Sequence, residues 1–309
     1  MDTRVKAAQI SVISNSSLVV LKLSVGMLMG SVSVISEAIH SGLDLAAALI
    51  AYLSLKKASE PADELHQYGH GKIENVSGVI EALLILIAAF WIIFEAGKKL
   101  IHGGHVESVG LGIGVMGFAS IINLLVSRYL FQVAKETDSI ALKADALHLS
   151  TDVLTSLGVM VGLILIKITH LQILDPIFAI LVAVLIIKAA YDLTKEAFSP
   201  LLDTRLPMEE EKDIIEIIRR YQDDFVEYHK LRSRKAGSER HIDLHLVVPW
   251  KKPISEVHLM CDQIEKEIKD RFASCQVLIH AEPCNHDCGY CNHDCDQCTS
   301  RINCLSSRD

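Results

Sequence analysis

The chain has 309 residues, of which 50% are hydrophobic and only 6% aromatic, and its formal net charge is −8. With a positive mean hydropathy it is too apolar for an ordinary soluble protein. The acidic balance excludes the basic face that a nucleic-acid partner requires.

Taken in order, six segments are long enough to cross a hydrocarbon core, for which about 20 mostly apolar residues suffice. They lie near Ala8–Met29, Val32–Leu55, Ile73–Ala96, Val109–Val133, Ala141–Ile168 and Leu174–Leu193. The first follows Met1-Asp2-Thr3-Arg4-Val5-Lys6 without a small-x-small cleavage site, and so reads as an uncleaved span rather than a signal peptide. The first two carry Asn15, Lys22, His40 and Asp44 and are expected to score poorly on hydropathy alone. Spans that tolerate such groups are buried among other helices. Lys and Arg gather on one side of the spans, at Arg4, Lys6, Lys56, Lys57, Lys72, Arg128, Lys135, Lys143, Lys195 and Arg205, against chiefly Lys98, Lys99 and Lys167 on the other. The positive-inside rule then predicts cytoplasmic N- and C-termini in the cell's inner (plasma) membrane.

The second span opens on Glu37-Ala38-Ile39-His40-Ser41-Gly42-Leu43-Asp44. The fifth contains Ala144-Asp145-Ala146-Leu147-His148-Leu149-Ser150-Thr151-Asp152. Histidine and aspartate four apart on a helix point the same way, and an ionisable pair inside a membrane is functional by default. The doubled pattern predicts that His40, Asp44, His148 and Asp152 face one another as a 3+3 inverted repeat and form one tetrahedral site for a divalent cation, with zinc suited to two imidazoles and two carboxylates. The competing reading is two separate His-Asp pairs that only hold helices together. Because these ligands bind metal when deprotonated, protons compete for the same site, and imidazole titrates close to physiological pH.

Between the second and third spans, Asp63, His66 and His70 have the spacing of three ligands of a second metal site, set against the plainer reading of a solvated loop. Gly69-x-Gly71-Lys72 lacks the leading glycine of a phosphate loop, so no nucleotide is expected. Glu81, in the third span, receives no role. Gly112-x-Gly114-x-x-Gly117 lies inside the fourth span without a preceding strand, and close helix packing accounts for it.

After Pro200 the composition becomes charged and mixed, which predicts a transmembrane domain over 1–205, a C-terminal cytoplasmic α+β domain over 206–283 and a Cys-rich tail over 284–309. A helix is expected after Pro207 with Ile214, Ile217, Ile218 and Tyr221 on one stripe. Strands are expected at Val226–Arg232, 241–247 and Cys275–His280, and a second helix carries Val257, Cys261, Ile264 and Ile268. The order α-β-β-α-β is a two-layer sandwich of ferredoxin-like type. Its histidines, among them His229, His241, His245, His258 and His280 with Glu282, are dense enough for one or two metal ions on the sheet or at a dimer seam, although each taken singly reads as an ordinary surface histidine. In the tail, Cys288, Cys291, Cys295 and Cys298, with His286 and His293 in reserve, form two Cys-x-x-Cys pairs that in a reducing cytoplasm can hold one zinc or another thiophilic ion, set against an unstructured tail that binds adventitiously and, third, an iron–sulfur cluster.

With these residues assembled, the chain resembles the cation diffusion facilitator family, close to its bacterial ferrous-iron and zinc efflux branch, over residues 1–283. The resemblance implies a homodimer of six-span protomers that exchanges a divalent metal for protons. It also implies a transport site of His40, Asp44, His148 and Asp152, a loop site of Asp63, His66 and His70, and a binuclear site of His229, His245, His258, His280 and Glu282. Lys72 and Asp203 fall where the family has a charge pair. The chain departs from that branch at His40 and Glu282, both commonly aspartate there. Imidazole at position 40 should favour Zn2+, Cd2+ or Co2+ over harder ions, and Fe2+ remains a candidate substrate. The expected function is a proton-coupled, zinc-preferring efflux antiporter in a lipid bilayer. The alternative is a membrane-anchored metal sensor or scaffold. No His-Glu-x-x-His signature is present, and no enzyme activity is expected.

Overall fold

Long apolar runs broken by small residues wind into six helices: α1 (Thr3–Met29), α2 (Val32–Ala58), α3 (Lys72–His102), α4 (Gly110–Thr137), α5 (Ile140–Thr169) and α6 (Leu174–Phe198), the last followed by a 3-10 turn at Ser199–Leu202. The computed structural model describes residues 2–29, 32–102, 110–169, 173–272 and 274–284. It divides into a unit ending at Leu202 and a unit beginning at Asp203.

In the first unit, α1 packs along α2 and α4, α3 along α6, and α5 touches α2, α3, α4 and α6. Alanine makes these approaches close. Ala7, Ala8, Ala47, Ala48 and Ala51 are all buried, as expected where van der Waals contact between backbones drives association. Gly78 allows one such approach, because a Cβ built there would lie 3.2 Å from Ala197 Cβ and 3.3 Å from Ile140 Cγ1. Large apolar side chains such as Ile13, Val20, Ile87, Phe90, Trp91 and Leu185 remain exposed on the outer faces, the pattern of a bundle solvated by lipid.

Among the described residues five of the six helices are long and apolar enough to span a membrane. The exception is α5, whose described side chains include Lys143, Asp145 and Asp152, while its apolar remainder from Val159 onward lies outside them. The expectation that α1 and α2 would score poorly is corrected, for both are more apolar than α4 over their best stretches. Leucine, valine and alanine outweigh the few polar groups there. The helices also run past the expected ends, α3 to His102 instead of Ala96.

The second unit follows the order α7 (Met208–Arg220), β1 (Glu227–Ala236), β2 (Glu239–Val248), α8 (Ile254–Arg271) and β3 (Cys275–Pro283). Pro207 and Pro253 stand at the N-caps of α7 and α8, where a fixed φ suits the first turn and no amide proton is lost. β1 and β2 pair antiparallel across Gly237, whose φ of +61° suits the tight turn. β2 and β3 pair parallel through the α8 crossover. Ile214, Ile217 and Ile218 of α7 and Val257, Met260, Cys261, Ile264 and Ile268 of α8 close over Ile242, Leu244 and Leu246 of β2. Both helices thus cover one face of the sheet, and strand alternation assigns the histidines to the other. β1 is longer than expected, continuing from Arg232 to Ala236.

Candidate metal centres

The α2 and α5 motifs meet inside the bundle. His40, Asp44 and Asp152 each offer one ligand atom, all within 4.8 Å of one another, and His148 Nε2 lies 3.3 Å from Asp44 Oδ1. Helical spacing puts His40 one turn before Asp44, and His148 one turn before Asp152, so each helix presents two ligands from one face. A tetrahedral zinc with bonds of about 2.1 Å sets its ligands roughly 3.4 Å apart, so small side-chain rotations close the set. His148 Nδ1 and Asp152 Oδ2 are buried without a hydrogen-bond partner. Such lone pairs are costly to strand and suit a divalent substrate.

Lys22 of α1, noted from sequence only for its polarity, reaches this place. Its ammonium donates to Ser41 Oγ at 2.7 Å, and it lines a cavity of about 50 Å³ with His40, Asp44, Asn123 and Asp152. The signal that could have found it is an ammonium within an apolar span, which rarely occurs without function.

Asp63, His66 and His70 also come together within 4.8 Å. His66 Nδ1 lies 3.1 Å from Asp63 Oδ1, and the two imidazole rings are 4.5 Å apart. His70 is buried, with Nε2 3.2 Å from Asp63 Oδ2, and neither ring nitrogen makes a hydrogen bond of normal geometry. The His66 backbone N–H, followed by its imidazole, holds the Asp63 carboxyl below the usual carboxylate range. Gly69, at φ +78°, turns the chain so that His66 and His70 can close on Asp63.

On the uncovered face of the second unit, strand register aligns three histidines in one row, His229 opposite His245 and His245 opposite His280. A bulge in β1 follows His229, with Lys230 at φ +50°. His229, His245 and Glu282 form a ligand group. His245 Nδ1 is 2.6 Å from Glu282 Oε1, and His229 Nε2 is 3.4 Å from Oε2. The His245 hydrogen bond draws the Glu282 carboxyl below its usual range. The longer glutamate arm, an expected source of altered geometry, reaches across two strands. His280 flanks the group, its ring 4.8 Å from that of His245. His258 is not brought to it. On α8 its Nε2 lies 3.5 Å from Asp262 Oδ2 and it is largely exposed, because α8 packs on the opposite face of the sheet. Cys288, Cys291, Cys295 and Cys298 lie outside the described residues.

Comparison with known proteins places these sites in context. Residues 8–202 match the profile described as the cation efflux transmembrane domain, and residues 206–284 match that of the cation efflux protein cytoplasmic domain. An uncharacterized transporter of Synechocystis sp. is 36% identical over 85% of this chain and 85% of its own. The cation-efflux pump FieF of Yersinia pestis is 32% identical over 91% of this chain and 93% of its own. A solved structure of CzrB, described as a candidate zinc transporter in its zinc form, is 35% identical over 26% of this chain and 92% of that one, with a TM-score of 0.25.

Proposed function

Because the chain belongs to the cation diffusion facilitator family, whose members are integral membrane transporters that move divalent metal cations out of the cell, we propose that it exports zinc in exchange for protons. His40, Asp44, His148 and Asp152 hold the ion in transit, with cadmium, cobalt and ferrous iron as further substrates. The observation that carries this reading is the convergence of three of these groups within the span of one ion, with the fourth resting on Asp44. Two imidazoles and two carboxylates fit zinc better than manganese or magnesium.

The exchange follows from competition for lone pairs. A neutral imidazole and an ionised carboxylate bind the cation, and their protonated forms do not. With both termini cytoplasmic, an inward-facing site takes up metal. Rocking of the helices then opens it outward, where protons displace the ion, and the protonated site returns. The chain's own residues bind, orient and release, and no covalent step is involved. The loop group of Asp63, His66 and His70 holds a second ion. The group of His229, His245 and Glu282, with His280 beside it, holds another in a domain through which two copies of the chain pair.

Zinc uptake into proteoliposomes under an imposed pH gradient tests the proposal. Gradient-driven uptake that Asp152→Ala abolishes is the expected result. Zinc bound tightly by a protein that moves none of it, with or without a gradient, would overturn the carrier reading in favour of a membrane-anchored sensor.

A further inference from the structure

Two carboxyls that are not part of the ligand cluster are buried completely in the bundle. Glu81 of α3 and Asp145 of α5 are both 0% exposed. They sit on helices drawn together at Gly78, where a Cβ would meet Ile140 Cγ1 at 3.3 Å. Their chain neighbours Ala82 and Ala144 share one apolar cluster, and the two charges act on each other electrostatically. Among the described residues neither pairs with a lysine or arginine. Ser77 Oγ donates to Glu81 Oε1 at 3.2 Å, while Glu81 Oε2 has no partner. Both oxygens of Asp145 lack a hydrogen bond of normal geometry. Ser11 of α1, which accepts from Asn15 at 3.5 Å, is the hydroxyl that faces Asp145.

The surrounding charges are otherwise engaged or remote. Glu74 of α3 binds Arg4 at 3.1 Å and also Ser139. Lys22 and Asp44 belong to the ligand cluster. Among the described side chains, Lys188, Asp192, Lys195 and Glu196 of α6 are exposed, as is Arg128 of α4, and Asn123 and Ser127 are buried polar groups of α4. The group that couples to Asp145 is His148. Asp145, His148 and Asp152 follow one another at i, i+3 and i+7 on one stripe of α5.

We infer that Glu81 and Asp145 form a proton-binding site that is emptied when the adjacent ligand cluster takes up a divalent cation. Two fully buried carboxylates on packed helices that repel each other are disfavoured as a doubly ionised pair, so the pair holds a proton on one carboxyl. A dication at His148 and Asp152 favours the ionised pair, and the proton leaves as the metal arrives. When the metal departs, the pair takes a proton from solvent again. The bond broken and re-formed is a single carboxyl O–H, and charge moves opposite to the metal. This rests on the reading of His40, Asp44, His148 and Asp152 as the metal site, and it assigns part of the coupling to groups that never touch the metal.

The test counts protons released as zinc binds the purified full-length protein at pH 7, by titration calorimetry in buffers of different ionisation enthalpy. Wild type is expected to release about one proton more per zinc than Glu81→Gln and, because the coupling is reciprocal, to bind zinc about tenfold more tightly at pH 7. Asp145→Asn should give the same deficit. Equal release by wild type and Glu81→Gln overturns the inference, even if gradient-driven flux stands. A persistent deficit in a protein that shows no gradient-driven flux upholds the pair and removes the antiport reading instead. Should neither variant fold, infrared spectra of the wild type decide. A protonated carboxyl stretch at pH 7 that disappears on adding zinc supports the site, and its absence overturns it.

Discussion

His148 Nε2 rests 3.3 Å from Asp44 Oδ1, joining residues 104 positions apart in the chain. The contact brings the α5 ligand pair onto the α2 pair, so that the two helices offer their ligands to one ion together. Asp44→Asn or Asp152→Asn should then lower zinc flux by about 100-fold or more, since losing only a supporting partner of a metal ligand typically costs about 10–100-fold. Stopped-flow uptake into vesicles is the measurement. Flux within about threefold of wild type would separate the cluster from transport.

Selectivity should follow position 40. His40 is the cluster's more exposed member, and His40→Asp exchanges an imidazole nitrogen for a hard oxygen. Competition among zinc, cadmium, iron(II) and manganese should move toward iron and manganese in this variant. An unchanged order would show that selectivity is set elsewhere.

In the loop, His70 is a buried imidazole with neither ring nitrogen in a hydrogen bond and Nε2 3.2 Å from Asp63 Oδ2, and Asp63 is held ionised by the His66 backbone N–H. His70→Ala should therefore lower the zinc content by about one ion per protomer, because two remaining ligands do not make a structural site. Elemental analysis after dialysis against dilute zinc reads this directly, and unchanged stoichiometry would return the loop to an ordinary polar turn.

The parts of this architecture legible in the sequence were those set by period. The stripe of Ile214, Ile217 and Ile218 and the alternation of Ile242, Leu244 and Leu246 became the core of the second unit, and the His-x-x-x-Asp spacing put its ligands on common helix faces. What spacing could not supply was distance across the fold. Nothing local to Lys22 tells that it reaches Ser41, and nothing near Glu81 points to Asp145. The row of His229, His245 and His280 depends on strand register and a bulge, whereas His258 looks equivalent in sequence and lies on a helix packed against the other face.

Glu74 is fully buried and meets Arg4 at 3.1 Å, while Arg4 also donates to Asp2 at 2.6 Å and Ser139 donates to Glu74. The network ties the start of α1 to the start of α3 and the turn between α4 and α5. Removing one partner of a buried pair leaves an uncompensated charge, which typically costs about 3–5 kcal/mol. Arg4→Met should accordingly lower the thermal midpoint of the detergent-solubilised protein sharply, and adding Glu74→Met should recover most of the loss. If the double variant is no better than the single one, the pair is not the source of the stability.

His241 makes the second unit sensitive to pH. It is buried on β2 opposite Arg234, and burial first, then the Arg234 charge, pushes its imidazole below the ordinary 6.5. A lowered folded value means that the unfolded chain takes up the proton first as pH falls. The contribution is therefore fully present above pH 6.5 and is lost as pH drops through the folded value. The core of this unit is closed by its own residues, so residues 203–284 expressed alone should fold. Their urea midpoint should fall between pH 7.5 and pH 5.5, and His241→Phe, which cannot titrate, should flatten that fall. A variant retaining the wild-type slope would assign the pH dependence to other groups on the sheet.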